Sequence, residues 1–135
     1  NPAAIDYRDW HVPLGRRFRA LKLWFVLRSY GAENLRTFIR SHVAWAEALE
    51  SRIINDSRLE LTAPRTLALV CFRHTDGNDA TRELADAINA SGSAYVTPSV
   101  TDDVAYIRVS IGSTWTEQRH VEDLWDLIDS NAGLK

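Results

Sequence analysis

The feature that most constrains this chain is a change of period at Asp56-Ser57. Before it, Leu35, Phe38, Ile39, His42, Val43, Ala46, Leu49 and Ile53 recur at steps of three and four. That spacing predicts one long amphipathic helix over about 33–55. After it come two strand-like runs, "RLELTA" and "LALVCFR", broken at Pro64. The second is apolar on both faces, as a central strand is, and 67–72 reads as a buried strand. "DGNDATRELADAINASG" predicts a helix with Asn78 or Asp79 as N-cap and Gly92 as its stop. Two more strands, "SAYVTPS" and "VAYIRVSIG", flank the turn-forming Thr101-Asp102-Asp103. A last helix opens on the capping box Thr114-Trp115-Thr116-Glu117 and buries Val121, Leu124, Trp125 and Ile128. Upstream of the long helix, 16–31 reads as a shorter one with an apolar face of Phe18, Leu21, Trp24, Phe25 and Leu27, stopped by Gly31. The residues before it read as an extended arm.

Two helices followed by β-β-α-β-β-α predict an α+β fold: an antiparallel sheet of about four strands with helices mainly on one face. At 135 residues and 45% hydrophobic, the chain is long enough for one buried core. Its net charge of −2 gives no global field to attract polyanions. Residues 1–42 nevertheless carry eight Lys/Arg against three Asp/Glu, while 43–135 carry eight against fifteen. A basic segment therefore precedes an acidic body. One cysteine, Cys71, excludes an intramolecular disulfide framework and suits a reducing compartment. With no apolar run of membrane-spanning length and no signal peptide, the expected location is cytoplasmic. The chain has no methionine and opens "NPAAIDYRDW", which reads as a processed or truncated piece.

Strand alternation supplies the main candidate site residue. Ala105, Ile107, Val109 and Ile111 point one way; Val104, Tyr106, Arg108 and Ser110 point the other. Arg108 is either an ordinary solvent-facing arginine or a guanidinium presented to an anionic ligand or partner domain. The four histidines lack metal-ligand spacing, His42 reads as a satisfied core or interface histidine, and Cys71 as part of the strand core. No glycine-rich phosphate loop and no nucleophile elbow is present. Of the two lysines, Lys22 lies in a charged helix and Lys135 at the chain end, so neither suits a Schiff base. The residues alone describe an α+β module without a self-contained active site.

"DYRDWHVPLGRRFRALKLWFVLRSYGAENLRTFIRSHV" resembles the segment of the pyridoxal-phosphate-dependent group II amino-acid decarboxylases that leads into their small C-terminal domain. "PLGRRFRALKLWFV" is similar to the aromatic-L-amino-acid branch, and "LALVCFR", "AYIRVSIGS" and "EQRHVEDLW" continue the family pattern in order. The resemblance implies a fold-type I parent, a homodimer whose own large domain holds pyridoxal 5'-phosphate and which releases CO2 from a small amino-acid substrate. It places the Schiff-base lysine upstream of Asn1, so this chain alone is expected to bind no cofactor and to be inactive. It implies a remnant of the large domain and a hinge helix over 1–31, and the small domain over 32–135. Arg8 and Arg16 would lie at the active-site periphery, and Arg108 would match the strand arginine that reaches the substrate carboxylate in glutamate-specific relatives. The cations of "GRRFRALK" then read as groups that seat the hinge helix on the large domain and the second subunit. Nothing here supplies base-contacting geometry for nucleic acid, and no membrane is expected as a partner. The alternative is a free-standing α+β interaction or regulatory module.

Overall fold

The computed structural model describes Gly15 and residues 17–133. Eight elements follow in order: α1 (Arg19–Tyr30), α2 (Ala32–Asn55), β1 (Leu59–Leu61), β2 (Leu69–His74), α3 (Asn78–Ala90), β3 (Thr97–Thr101), β4 (Val104–Ser110) and α4 (Gln118–Asn131). The chain divides into two units, Asn1–Arg36 and Thr37–Lys135.

In the first unit α1 buries none of its residues. Leu23, Trp24 and Leu27 are 61%, 53% and 44% exposed. Arg28 lies 5.9 Å from the centre of the Trp24 ring, a cation–π contact within the helix. Gly31, at φ 75°, ends α1 in a backbone region that only glycine enters cheaply, and its N–H donates to the Leu27 carbonyl.

The second unit is built on one sheet in the order β1-β2-β4-β3, every neighbouring pair antiparallel. Because β2 and β3 both oppose β4, they run parallel to each other with β4 in the gap, joined by the α3 crossover. This is a split βαβ arrangement. The β3–β4 hairpin closes on Thr101↔Val104 through Asp102 and Asp103, at φ 49° and 62°. A tight two-residue hairpin requires such left-handed residues, and aspartate tolerates them. Alternation then sorts the strands. Val70 and Phe72 of β2 and Ala105, Ile107 and Val109 of β4 are buried. Ala46, Leu49 and Ile53 of α2, Leu84, Ala85 and Ile88 of α3, and Val121, Leu124 and Ile128 of α4 complete the same core. The helices thus lie mainly on one face, as expected.

Four local readings change. Leu67 is not in the buried strand. It sits at φ 52°, 70% exposed, in the turn closed by the Leu69 N–H on the Thr66 carbonyl, so β2 starts two residues later. The third strand begins at Thr97 rather than Ser93, because the Asn89 side chain both accepts from the Val96 N–H and donates to its carbonyl. Gly77, not Asn78 or Asp79, is the N-cap of α3. Asn78 instead accepts from the Ala105 N–H and donates to the Asp103 carbonyl, pinning the helix start to the hairpin. Helix α4 starts at Gln118, after the expected box. Its capping box is Glu117 with His120, whose Nδ1 accepts from the Glu117 N–H.

Three polar groups bear on stability: Arg58, His74 and His42. Arg58 forks onto the Asp56 carboxylate at 2.6 and 2.9 Å and also donates to the Asp129 carbonyl and carboxylate, clasping the end of α4 to the start of β1. This bond set holds Asp56 below the usual carboxylate range and raises Arg58. His74 sits nearby: its Nδ1 accepts from the Asp76 N–H and its Nε2 donates to the Ala132 carbonyl, the neutral form with the proton on Nε2. His42 is the opposite case and corrects the reading of a satisfied histidine. It is 4% exposed between Phe38 and Trp45, with no hydrogen-bond partner for Nε2. Burial pushes its pKa below 6.5.

Arg58→Ala should lower the unfolding free energy by about 2 kcal/mol in urea titrations, the scale of hydrogen bonds to charged groups. His42 adds an acid sensitivity. The unfolded chain takes up the proton first, so the stability present above pH 6.5 is lost as pH falls through the depressed folded pKa. Urea midpoints measured between pH 7.5 and 5.5 should fall further for the native sequence than for His42→Leu.

Candidate functional site

The face of the sheet opposite the helices has no layer of the second unit's helices over it, and the candidate arginine stands there. In β4 the buried Ile107 and Val109 flank Arg108, which is exposed, as is Ser110. Since β4 is paired on both sides, the Arg108 backbone is fixed by two neighbours, Cys71 of β2 and Thr97 of β3. Two residues back, Tyr106 faces Ser99, and its hydroxyl lies 3.2 Å from Thr101 Oγ1. Arg73 of β2 is tied up differently: its Nε and Nη2 both reach Glu60 Oε1 on β1. Among the described residues no carboxylate pairs with Arg108. The result is one unneutralised guanidinium, rooted in a rigid central strand and set among hydroxyl and thiol neighbours. Such a group suits bidentate capture of a carboxylate or a charged contact with an apposed surface.

Cys71 is half-buried on this open face beside Arg108, not in the core where the sequence reading put it. The register explains the shift: Val70 and Phe72 take the dry side and leave Cys71 the other. Arg8 and Arg16 lie outside the described residues. No group of His, Cys, Asp and Glu among the described residues is arranged to hold a metal. Sequence reasoning missed a groove between α2 and α4, lined by Trp45, Leu49, Arg52, Val121, Glu122 and Trp125. Trp125 packs half-buried against the core, as its helical stripe predicts, and the pairing of two helices distant in sequence makes it a groove wall as well.

The model of the pyridoxal-dependent decarboxylase conserved domain matches residues 2–75. The chain belongs to that family. It is 41% identical to tryptophan decarboxylase 2 of Oryza sativa subsp. japonica over 96% of its own length and 28% of the relative's. It is 42% identical to a phenylacetaldehyde synthase of a Rosa hybrid cultivar, over 95% of its length and 28% of that protein. Among solved structures, Oryza sativa TDC with PLP and tryptamine superposes at a TM-score of 0.81 with 40% identity, covering 94% of this chain and 29% of that one. The chain thus spans a little over a quarter of the relatives it matches. Its own described residues do not fit the cofactor of this family. An aldehyde needs a lysine to hold it, and the described lysine, Lys22, stands on α1, whose residues are all exposed. No step through the cofactor is therefore assigned to them.

The openness of the Arg108 face has a direct chemical readout. In folded protein without denaturant, iodoacetamide should modify Cys71 to one equivalent. Modification that required urea would mean the face is covered.

Proposed function

We propose that the chain is the C-terminal small domain of a pyridoxal-phosphate-dependent aromatic-L-amino-acid decarboxylase. The carrying observation is identity near 40% across almost the whole chain to relatives named for aromatic amino acids, together with the superposition on rice TDC. On this reading 1–31 belongs to the hinge and the large-domain exit, and 32–135 is the small domain of a fold-type I homodimer in the cytoplasm. Among the described residues no helix is long and apolar enough to cross a membrane, which is compatible with that placement. The whole protein releases CO2 from an aromatic L-amino acid to give an amine. This chain contributes the sheet face that closes against the cofactor-holding domain, and alone it is inactive. Arg108 is the substrate-facing group or the docking contact, with Arg8 and Arg16 at the active-site periphery. The exposed apolar side chains of α1 support a role in seating that helix on the missing domain and second subunit.

A second reading concerns the product. A decarboxylase and a phenylacetaldehyde synthase match at 41% and 42%, so identity over this region does not favour amine over aldehyde.

The test compares this chain with the protein extended upstream through its own gene, each purified with pyridoxal phosphate. The extended protein should show an internal-aldimine absorption band and release CO2 from L-tryptophan or L-DOPA, while this chain does neither. Amine and aldehyde are quantified together. A cofactor-free, inactive extended protein would leave an interaction module as the better reading. In the extended protein, Arg108→Ala should reduce kcat/KM by about 10- to 100-fold, the scale of a charge-assisted hydrogen bond. An unchanged cofactor spectrum would indicate contact with substrate, whereas loss of the spectrum with activity would indicate domain docking.

A further inference from the structure

Among the described residues of the second unit, the three large apolar or aromatic side chains most open to solvent are Trp115, Tyr95 and Leu67, at 86%, 80% and 70%. Single exposed apolar residues are ordinary on a protein surface, so it is their position that carries information. All three stand at one end of the sheet, where β2 and β3 begin and β4 ends. Leu67 is in the turn before β2, and the Ile111 N–H just after β4 donates to the adjoining Ala68 carbonyl. Tyr95, just before β3, lines one cavity with Ser110, Ile111 and Thr116, and Trp115 is the residue before Thr116. The other end of the sheet is closed by polar groups: the Arg58 clasp with Asp56 and Asp129, and the Asp102-Asp103 turn.

Local bonding fixes the turns that carry two of these side chains. Leu67 sits at φ 52°, in the left-handed region that leucine enters only at a cost. Its carbonyl accepts from the Arg65 guanidinium, whose Nε is bonded to Glu50 of α2. The Trp115 N–H donates to Ser113 Oγ at 3.3 Å, and the Thr116 N–H to the Ser113 carbonyl at 3.0 Å. A strained turn that shows leucine to water gains nothing within this chain. Tyrosine and tryptophan, at the same end, are the residues that most often anchor buried protein contacts.

The path of the chain identifies what covers this end. Helix α2 finishes at the polar end, where Asp56 to Arg58 lead into β1, so it enters the unit from the aromatic end. The polypeptide upstream of Thr37 therefore joins the second unit there. The chain spans 28% of tryptophan decarboxylase 2, so that relative carries a much larger body besides the matched part. The aromatic end is also continuous with the open sheet face, since Ser110 of that face borders the same cavity as Tyr95.

We propose that Leu67, Tyr95 and Trp115 form a docking surface for the upstream body of the same polypeptide. That body closes over this end of the sheet as well as over the Arg108 face. The inference rests on the reading of the chain as the C-terminal domain of a longer protein, and adds to it the residues that make the contact.

The experiment is hydroxyl-radical footprinting of this chain and of the protein extended upstream, read by mass spectrometry at Tyr95 and Trp115. Both side chains should be oxidised readily in this chain and protected in the extended protein. Tyr95→Ser and Trp115→Ser should leave the urea midpoint of this chain in place, since exposed positions contribute little to its own stability. Each should lower the unfolding temperature of the extended protein by a few degrees. Equal destabilisation of both proteins would mean a structural role inside this chain and would overturn the proposal. CO2 release reports separately on the catalytic reading. An active extended protein in which Tyr95 and Trp115 are oxidised as in this chain sinks the docking surface and leaves that reading intact. Protection in an inactive extended protein upholds the docking surface and removes only the catalytic reading. Protection that came and went with protein concentration, in either protein, would assign this end to a second copy and refute the proposal.

Discussion

The sheet of the second unit has a single dry side, and the rest of that unit follows from it. Three helices, α2, α3 and α4, bring apolar stripes that converge on Val70, Phe72, Ile107 and Val109. Once those side chains are committed to the core, the two-residue period of β4 leaves no freedom for its other positions. Arg108 is then held on the wet side, opposite Cys71 and Thr97, by the burial of its two immediate neighbours. Its placement needs no bond of its own.

Charge is distributed in keeping with this division. Where the chain closes on itself, charges are paired: Arg58 with Asp56 and Asp129, and Arg65 with Glu50. Arg73 is matched by Glu60 at the sheet edge. Arg108 on the open face and Arg52 at the helix groove have no such carboxylate among the described residues. Those two guanidiniums stand on separate surfaces of the second unit, one on the open sheet face and one on the helix side.

Element type and order were legible in the sequence because they depend on periodicity, which burial on one face enforces. The α2 stripe where it is buried, from His42 to Ile53, and the alternation from Val104 to Ile111 are examples. Boundaries were less legible because they are set by side chains acting across the fold. Asn78 looks like a cap by composition, yet it bonds to the β3–β4 hairpin, and Asn89 holds Val96 out of the sheet. His120 caps α4 from inside the helix, a role usually given to Glu or Gln at that position. Arg108 was legible as a candidate because strand alternation fixes its face. The helix groove was not, since its walls Trp45 and Trp125 are eighty residues apart and only the fold brings their helices together.

The position of β4 bears on how the chain is made. Synthesis proceeds from the N-terminus, so β2 leaves the ribosome well before the strand that will lie beside it, and α3 and β3 come first. Until β4 follows, one edge of β2 lies open, and "LVCFRH" offers unpaired backbone to any extended neighbour. Nascent chains stalled or cut short in this interval carry a sticky edge, and they are the ones that chaperones must shield.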